Sequence, residues 1–187
     1  IIQNDKNMVS QGQYFNPLTS LYLFPRGEDF SDVAVYERYD DLSGVNTQYW
    51  PYGDLGGVSS QNPYWIMNRM NRENDRRRYK LAASLQYNII EGLNVQGRVS
   101  IDNTESKYTE KFHAGTVGNF AGPKGRYKEE NRLDRQVYAD VLANFNKTFN
   151  EFNVTANLGA SIKDLRMELT SLHGDLNNVT NHFTIEN

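Results

Sequence analysis

Cysteine is absent from the sequence, which excludes disulfides and thiolate chemistry. Histidine is scarce: His113, His173 and His182 lie far apart in what reads as loop, with no i, i+4 pair. Neither a zinc site nor a catalytic triad is legible among them. No run of eighteen apolar residues exists, so no transmembrane helix is expected. A surplus of positive charge is missing too, since the formal net charge is −3. The basic run Arg72, Arg76, Arg77 and Arg78 is interleaved with Asn71, Glu73, Asn74 and Asp75, which points to ion pairing and away from nucleic acid. The glycines between His113 and Gly125 are irregularly spaced and no Gly-Lys-Ser/Thr follows, so no phosphate loop is present. Glu28, Asp29, Asp32, Asp40 and Asp41 lack the spacing of a calcium loop and read as a solvated surface. The carboxylates cannot be paired for acid–base work, and no enzyme, metal site or cofactor is expected. Hydrophobic residues make up only 38% of the 187, too few for a thick two-sided core. The chain opens at Ile1 with no charged n-region or apolar leader, and reads as a piece of something longer.

What is present is a repeated hairpin. From Arg78 to Asp102, Tyr79, Leu81, Ala83, Leu85, Tyr87 and Ile89 alternate with Lys80, Ser84, Gln86 and Asn88. After Glu91-Gly92, Leu93, Val95, Val99 and Ile101 alternate with Asn94, Gln96, Arg98, Ser100 and Asp102. A period of two belongs to strands, and the Glu-Gly pair suits a two-residue turn. The design returns downstream. Val137, Ala139, Val141, Ala143 and Phe145 alternate with Tyr138, Asp140 and Asn144, Asn150-Glu151 turns, and Phe152, Val154, Ala156, Leu158, Ala160 and Ile162 follow.

A soluble sandwich and a membrane barrel both produce such alternation, and loop length arbitrates. Two turns are about two residues long, whereas the connection beyond Asp102 far exceeds a hairpin loop. Outer-membrane barrels have that asymmetry, with an apolar outer band ending in aromatics such as Tyr87, Phe145, Phe149 and Phe152. The expected fold is therefore all-β: antiparallel strands of a partial transmembrane β-barrel, about four to six of them, with long extracellular loops. Leu81, Ala83, Leu85, Val95, Val99, Val141, Ala143, Val154, Ala156 and Leu158 are expected to face lipid. Gln86, Gln96, Arg98, Asp140, Asn144, Asn157 and Lys163 are expected to face the lumen. Residues 1–77 read as a long extracellular loop region with short strands, one of them at Ser20–Phe24. Residues 78–164 read as two consecutive transmembrane hairpins with an intervening extracellular loop, whose flanks Thr104–Phe112 and Arg126–Arg132 extend the strands. Residues 165–187 read as the start of the next loop or strand.

Aromatic rings cluster at Trp50, Tyr52, Tyr64 and Trp65. Such rings either form a platform for a sugar or a peptide, or pin the long loop in place. A soluble β-sheet carbohydrate-binding module using those four rings is the alternative to transport.

Several stretches together resemble a central portion of a SusC/RagA-type TonB-linked outer-membrane transporter: FNPLTSLYLFPRGEDF at Phe15–Phe30, QNPYW at Gln61–Trp65, the hairpin at Arg78–Asp102, ANLGASI at Ala156–Ile162, and NNVTNHFTIEN at the end. The resemblance covers most of the chain. It implies a 22-stranded barrel in a Gram-negative outer membrane, energised by TonB through parts absent from this chain. It also implies a SusD-like surface lipoprotein as partner and an oligosaccharide or peptide as the imported nutrient.

Overall fold

Two-residue turns at 91–92 and 150–151 organise the chain. The computed structural model describes residues 1–6, 9, 13–52 and 61–187. In chain order they form β1 (Ile2–Asp5), a 3-10 turn (Gln13–Phe15), α1 (Pro17–Tyr22), a second 3-10 turn (Phe30–Ala34), β2 (Glu37–Asp40) and β3 (Val45–Gln48). Then come α2 (Pro63–Arg69) and four long strands, β4 (Met70–Ile90), β5 (Leu93–His113), β6 (Gly125–Phe149) and β7 (Phe152–Asp175). The long strands and β1 make one sheet in the order β1-β4-β5-β6-β7, while β2 and β3 pair as a separate antiparallel hairpin. The all-β expectation holds. Both turns fall where alternation breaks: Gly92 has φ +84° and Asn150 φ +50°, the left-handed values a tight hairpin needs. A Cβ at Gly92 would run into the Asn146 carbonyl, whose own N–H donates to Gly92 O at 2.7 Å.

The chain divides into two compact units. The first comprises Ile1–Ile2, Arg76–Ser106 and Arg132–Leu169, the turn-proximal parts of β4–β7. Apolar side chains stand open on it: Leu85 and Leu158 are 76% and 77% exposed, and Leu81, Val99, Val141, Val154 and Ile162 are exposed as well. Polar side chains meet across its strands. Arg98 Nε donates to Asp140 at 2.9 Å, Asn144 Nδ2 to Asn94 Oδ1 at 2.9 Å, and Arg78 grips both oxygens of Asp102 at 2.9 and 2.6 Å. β7 runs past residue 164, where the second hairpin was expected to end. Beyond Lys163 its phase reverses, so that Leu165, Met167 and Leu169 take over the alternate positions held earlier by Asn157, Ser161 and Lys163. Leu165 and Met167 border a recess shared with Arg78 and Asp102.

The second unit comprises Gln3–Asp75, Lys107–Asn131 and Thr170–Asn187, and it has a true core. Trp65, Ile66, Met70, Phe112 and Ala121 are buried together, with Phe15, Tyr36 and Phe120 packed against them. The strand expected at Ser20–Phe24 is instead the end of helix α1 and the turn after it. The reason lies just upstream. The Asn16 side chain accepts a hydrogen bond from Leu18 N–H, and Pro17 occupies the first helical turn, a capping device stronger than the short apolar alternation that follows. Asn62-Pro63 repeats it at the start of α2. The 1–77 region thus holds two helices as well as short strands, and β4 already begins at Met70. The flanks at Thr104–Phe112 and Arg126–Arg132 do extend β5 and β6. His113 ends β5 and His173 lies within β7, whereas both were expected in loops. The acidic stretch serves chain geometry. Asp29 caps the second 3-10 turn, Asp40 accepts from Ser43 N–H at 3.1 Å in the β2–β3 turn, and Glu37 holds Arg69.

Candidate functional site

The four rings singled out from sequence do not form one platform. Trp65 is fully buried, and its indole N–H donates to Thr116 Oγ1 at 3.2 Å, so it is a core anchor. α2 turns that ring inward because Pro63, Trp65 and Ile66 form the buried side of this short helix, so Trp65 is not part of an exposed ring platform. Tyr64, one position earlier, is exposed and stacks on Tyr36 with centroids 6.4 Å apart. Trp50 and Tyr52 meet edge to face at 5.3 Å, and Tyr52 also meets Phe24 at 4.9 Å. That group is half-buried. Trp50 and Tyr52 remain together as expected; Tyr64 and Trp65 belong elsewhere.

Sequence reasoning missed what holds those rings. Gln61 and Asn62 are almost completely buried, and their amides tie five separate segments together. Asn62 Nδ2 donates to Val33 O at 2.9 Å and to Tyr49 O at 3.1 Å, while its Oδ1 accepts from Tyr64 N–H at 2.9 Å. Gln61 Nε2 donates to Tyr14 O at 2.6 Å, and its backbone N–H donates to Ser20 Oγ at 3.2 Å. Each buried amide is satisfied, which is what makes such a knot stabilising. The only sequence signal was the Asn-Pro pair before an apolar run, which marks a helix start.

The expected lumen residues divide into those with partners and those without. Arg98 and Asp140 form an ion pair in which the Asp140 side chain is 7% exposed and the Arg98 side chain 53% exposed. Asn144 bonds Asn94. Gln86, Gln96, Asn157 and Lys163 lie on β4, β5 and β7 with no side-chain bond to other described residues. Arg98, Asp140, Asn94 and Asn144 therefore share one face of the sheet, as the alternation requires. A strip of fixed charges and amides there favours hydrogen bonding to a polar solute.

The arginine run also finds acids. Arg78 takes Asp102, and Arg72 reaches Glu110 at 3.4 Å. Arg72 is deeply buried, its guanidinium 4.3 Å from the Phe15 ring centre and 5.0 Å from that of Phe112. The two rings and Glu110 stabilise a cation whose Nη1 has no hydrogen-bond partner among the described residues. Among the described residues no group of His, Asp and Glu is arranged to hold a metal ion. No protein-family model matches the sequence, and a comparison with curated proteins finds no match.

Proposed function

We propose that this chain contributes adjacent membrane-crossing strands to a TonB-dependent outer-membrane importer. In that role it passes an oligosaccharide or peptide nutrient in partnership with a SusD-like surface lipoprotein. The observation that carries the proposal is the apolar band on β4–β7, exposed along β4 and β7 and half-buried at most of its positions on β5 and β6. It runs from Tyr79 to Ile89 on β4, from Leu93 to Ile101 on β5, from Val137 to Phe149 on β6 and from Phe152 to Ile162 on β7. From Tyr79 to Ile89 it measures about 33 Å along the strand, or about 25 Å along the bilayer normal at the usual tilt, the height of a barrel's lipid-facing belt. Rings at the turn end, Tyr87, Phe149 and Phe152, stand where an interfacial girdle would be, and Tyr79 stands at the other margin. A monomeric water-soluble protein rarely exposes a continuous apolar surface of this size. The opposite face, with Arg98, Asp140, Asn94 and Asn144, is polar enough to line a wet lumen.

Four long strands are too few to close around a lumen, and bare strand edges are not tolerated in lipid. Further strands must therefore pair with both edges, and TonB coupling belongs to those other parts. The soluble carbohydrate-module reading loses its ring platform, because Trp65 is buried and Tyr64 is separated from Trp50 and Tyr52. Detergent dependence tests the proposal. The chain should aggregate in plain buffer and disperse with its β-sheet signal in micelles, whereas a folded monomer in plain buffer would refute the lipid-facing band.

A further inference from the structure

A cleft of about 450 Å³ opens in the second unit, bordered by residues from four places in the sequence. The β2–β3 hairpin supplies Tyr39 and Asn46, α2 ends on Arg69, β5 ends on His113, the C-terminal segment brings Asn181, and Trp65 lies at the base. Its volume is that of an ordinary small-ligand site.

Arg69 is the charged residue among those lining the cleft, and Glu37, which does not line it, offsets its charge. Arg69 donates from Nε and Nη2 to both oxygens of Glu37, at 2.8 and 2.9 Å, and this pairing holds the Glu37 carboxyl below its usual range. Burial, helped by the nearby Arg69 charge, pushes His113 down to about 4, so its ring is neutral at pH 7 and offers one donor and one acceptor. Asn181 is held in a left-handed conformation, φ +58°. Its Oδ1 accepts from Ala114 N–H at 2.7 Å, and its Nδ2 makes no hydrogen bond to other described residues. Asn46 donates to Glu37 at 3.3 Å, and its Oδ1 makes no hydrogen bond to other described residues. Arg69 Nη1, both ring nitrogens of His113 and the Tyr39 hydroxyl make no hydrogen bond to other described residues. Tyr39 itself is 65% exposed.

We propose that this cleft is a saccharide-binding subsite that takes a neutral sugar ring, its vicinal hydroxyls bonded by Asn46, Arg69, His113 and Asn181 and one ring edge covered by Tyr39. Hydroxyls donate and accept at once, and so does this set of amides, imidazole and phenol. An anionic ligand would have to compete with Glu37 for Arg69, and a cationic one would meet Arg69 itself. An extended peptide is bound chiefly through main-chain bonds to a free strand edge. The cleft offers side-chain groups instead. As a statement about the imported nutrient this rests on the transport reading; as a statement about binding it does not. None of its residues belongs to the apolar band, so either reading can fail alone.

The test uses the whole chain, in whatever medium keeps it folded, titrated calorimetrically with maltohexaose, xylohexaose, mannohexaose and cellohexaose. An oligogalacturonate, a chitosan oligomer and penta-alanine serve as controls. At least one neutral hexasaccharide should bind at millimolar concentration or better, and the controls should not. Tyr39→Ala and Asn46→Ala alter exposed side chains and should melt like the parent, yet each should weaken binding about tenfold, the loss of one or two hydrogen bonds or a ring contact. Asn181→Gly keeps the backbone conformation and removes the amide, with the same expected loss. No binding of any neutral hexasaccharide, equal binding by all three variants, or preference for a control would overturn the assignment.

Discussion

Replacing Trp65 separates a core ring from a ligand platform. Its side chain is buried in one cluster with Ile66, Met70, Phe112 and Ala121, and its indole N–H bonds Thr116. Trp65→Ala removes a large apolar surface and opens a cavity, which in buried sites costs about 3–5 kcal/mol. The stranded Thr116 hydroxyl, itself buried, accounts for about 1 kcal/mol of that range. Trp65→Phe retains much of the packing and loses the hydrogen bond and part of the ring, so about 1–2 kcal/mol is expected. Trp50 is the only other tryptophan, so a Trp50→Phe background makes Trp65 the sole indole reporter. In that background its emission should be blue-shifted and shielded from acrylamide, and denaturant titration should place Trp65→Phe between the parent and Trp65→Ala. A quenchable, red-shifted Trp65, or a loss below about 1 kcal/mol on truncation to Ala, would refute its place in the core.

Leu85→Lys, near the middle of the apolar band, should cost about 2–4 kcal/mol in folding into micelles, whereas Gln96→Lys should cost little; equal costs would contradict the assigned faces. Gly92→Ala should be destabilising by about 1–3 kcal/mol, because the positive φ and the adjacent Asn146 carbonyl both oppose a Cβ, and an unchanged unfolding midpoint would count against the turn. His113 supplies a pH test: its folded value of about 4 lies below the ordinary 6.5, so the unfolded state holds the proton more tightly between them. The stabilisation is complete above pH 6.5 and disappears as pH falls towards 4. Because the ring is partly exposed the full shift is discounted to about 1–2 kcal/mol, and His113→Gln should flatten that slope in a stability-versus-pH series.

The parts of the long strands nearest the two turns were legible because a period of two persists there and breaks at Gly92 and Asn150, where backbone conformation demands it. The apolar and polar faces followed from the same alternation. What alternation does not reach is the second unit. Ser20–Phe24 looks like a strand only if Asn16-Pro17 is overlooked, and the local cap decides the matter there. Trp65 and Tyr64 are adjacent in sequence but point to opposite environments, because a helix turns consecutive side chains apart. His113, Arg69 and Asn181 converge through long-range packing, Asn181 reaching Ala114 across 67 residues, and no local pattern marks such a meeting. The end of β7 was placed too early for a related reason: the phase reversal after Lys163 looks like the end of a strand when only the alternation is followed.

The most direct test of membrane crossing uses the absence of native cysteine. Single replacements Leu85→Cys, Val141→Cys, Gln96→Cys and Asn144→Cys, each spin-labelled after reconstitution of the chain into lipid, report the surroundings of the two faces by collision with oxygen or with a water-soluble nickel chelate. The account predicts oxygen-rich, nickel-poor surroundings at Leu85 and Val141, and the reverse at Gln96 and Asn144. The same nickel access at all four positions would place both faces of the sheet in water and contradict it.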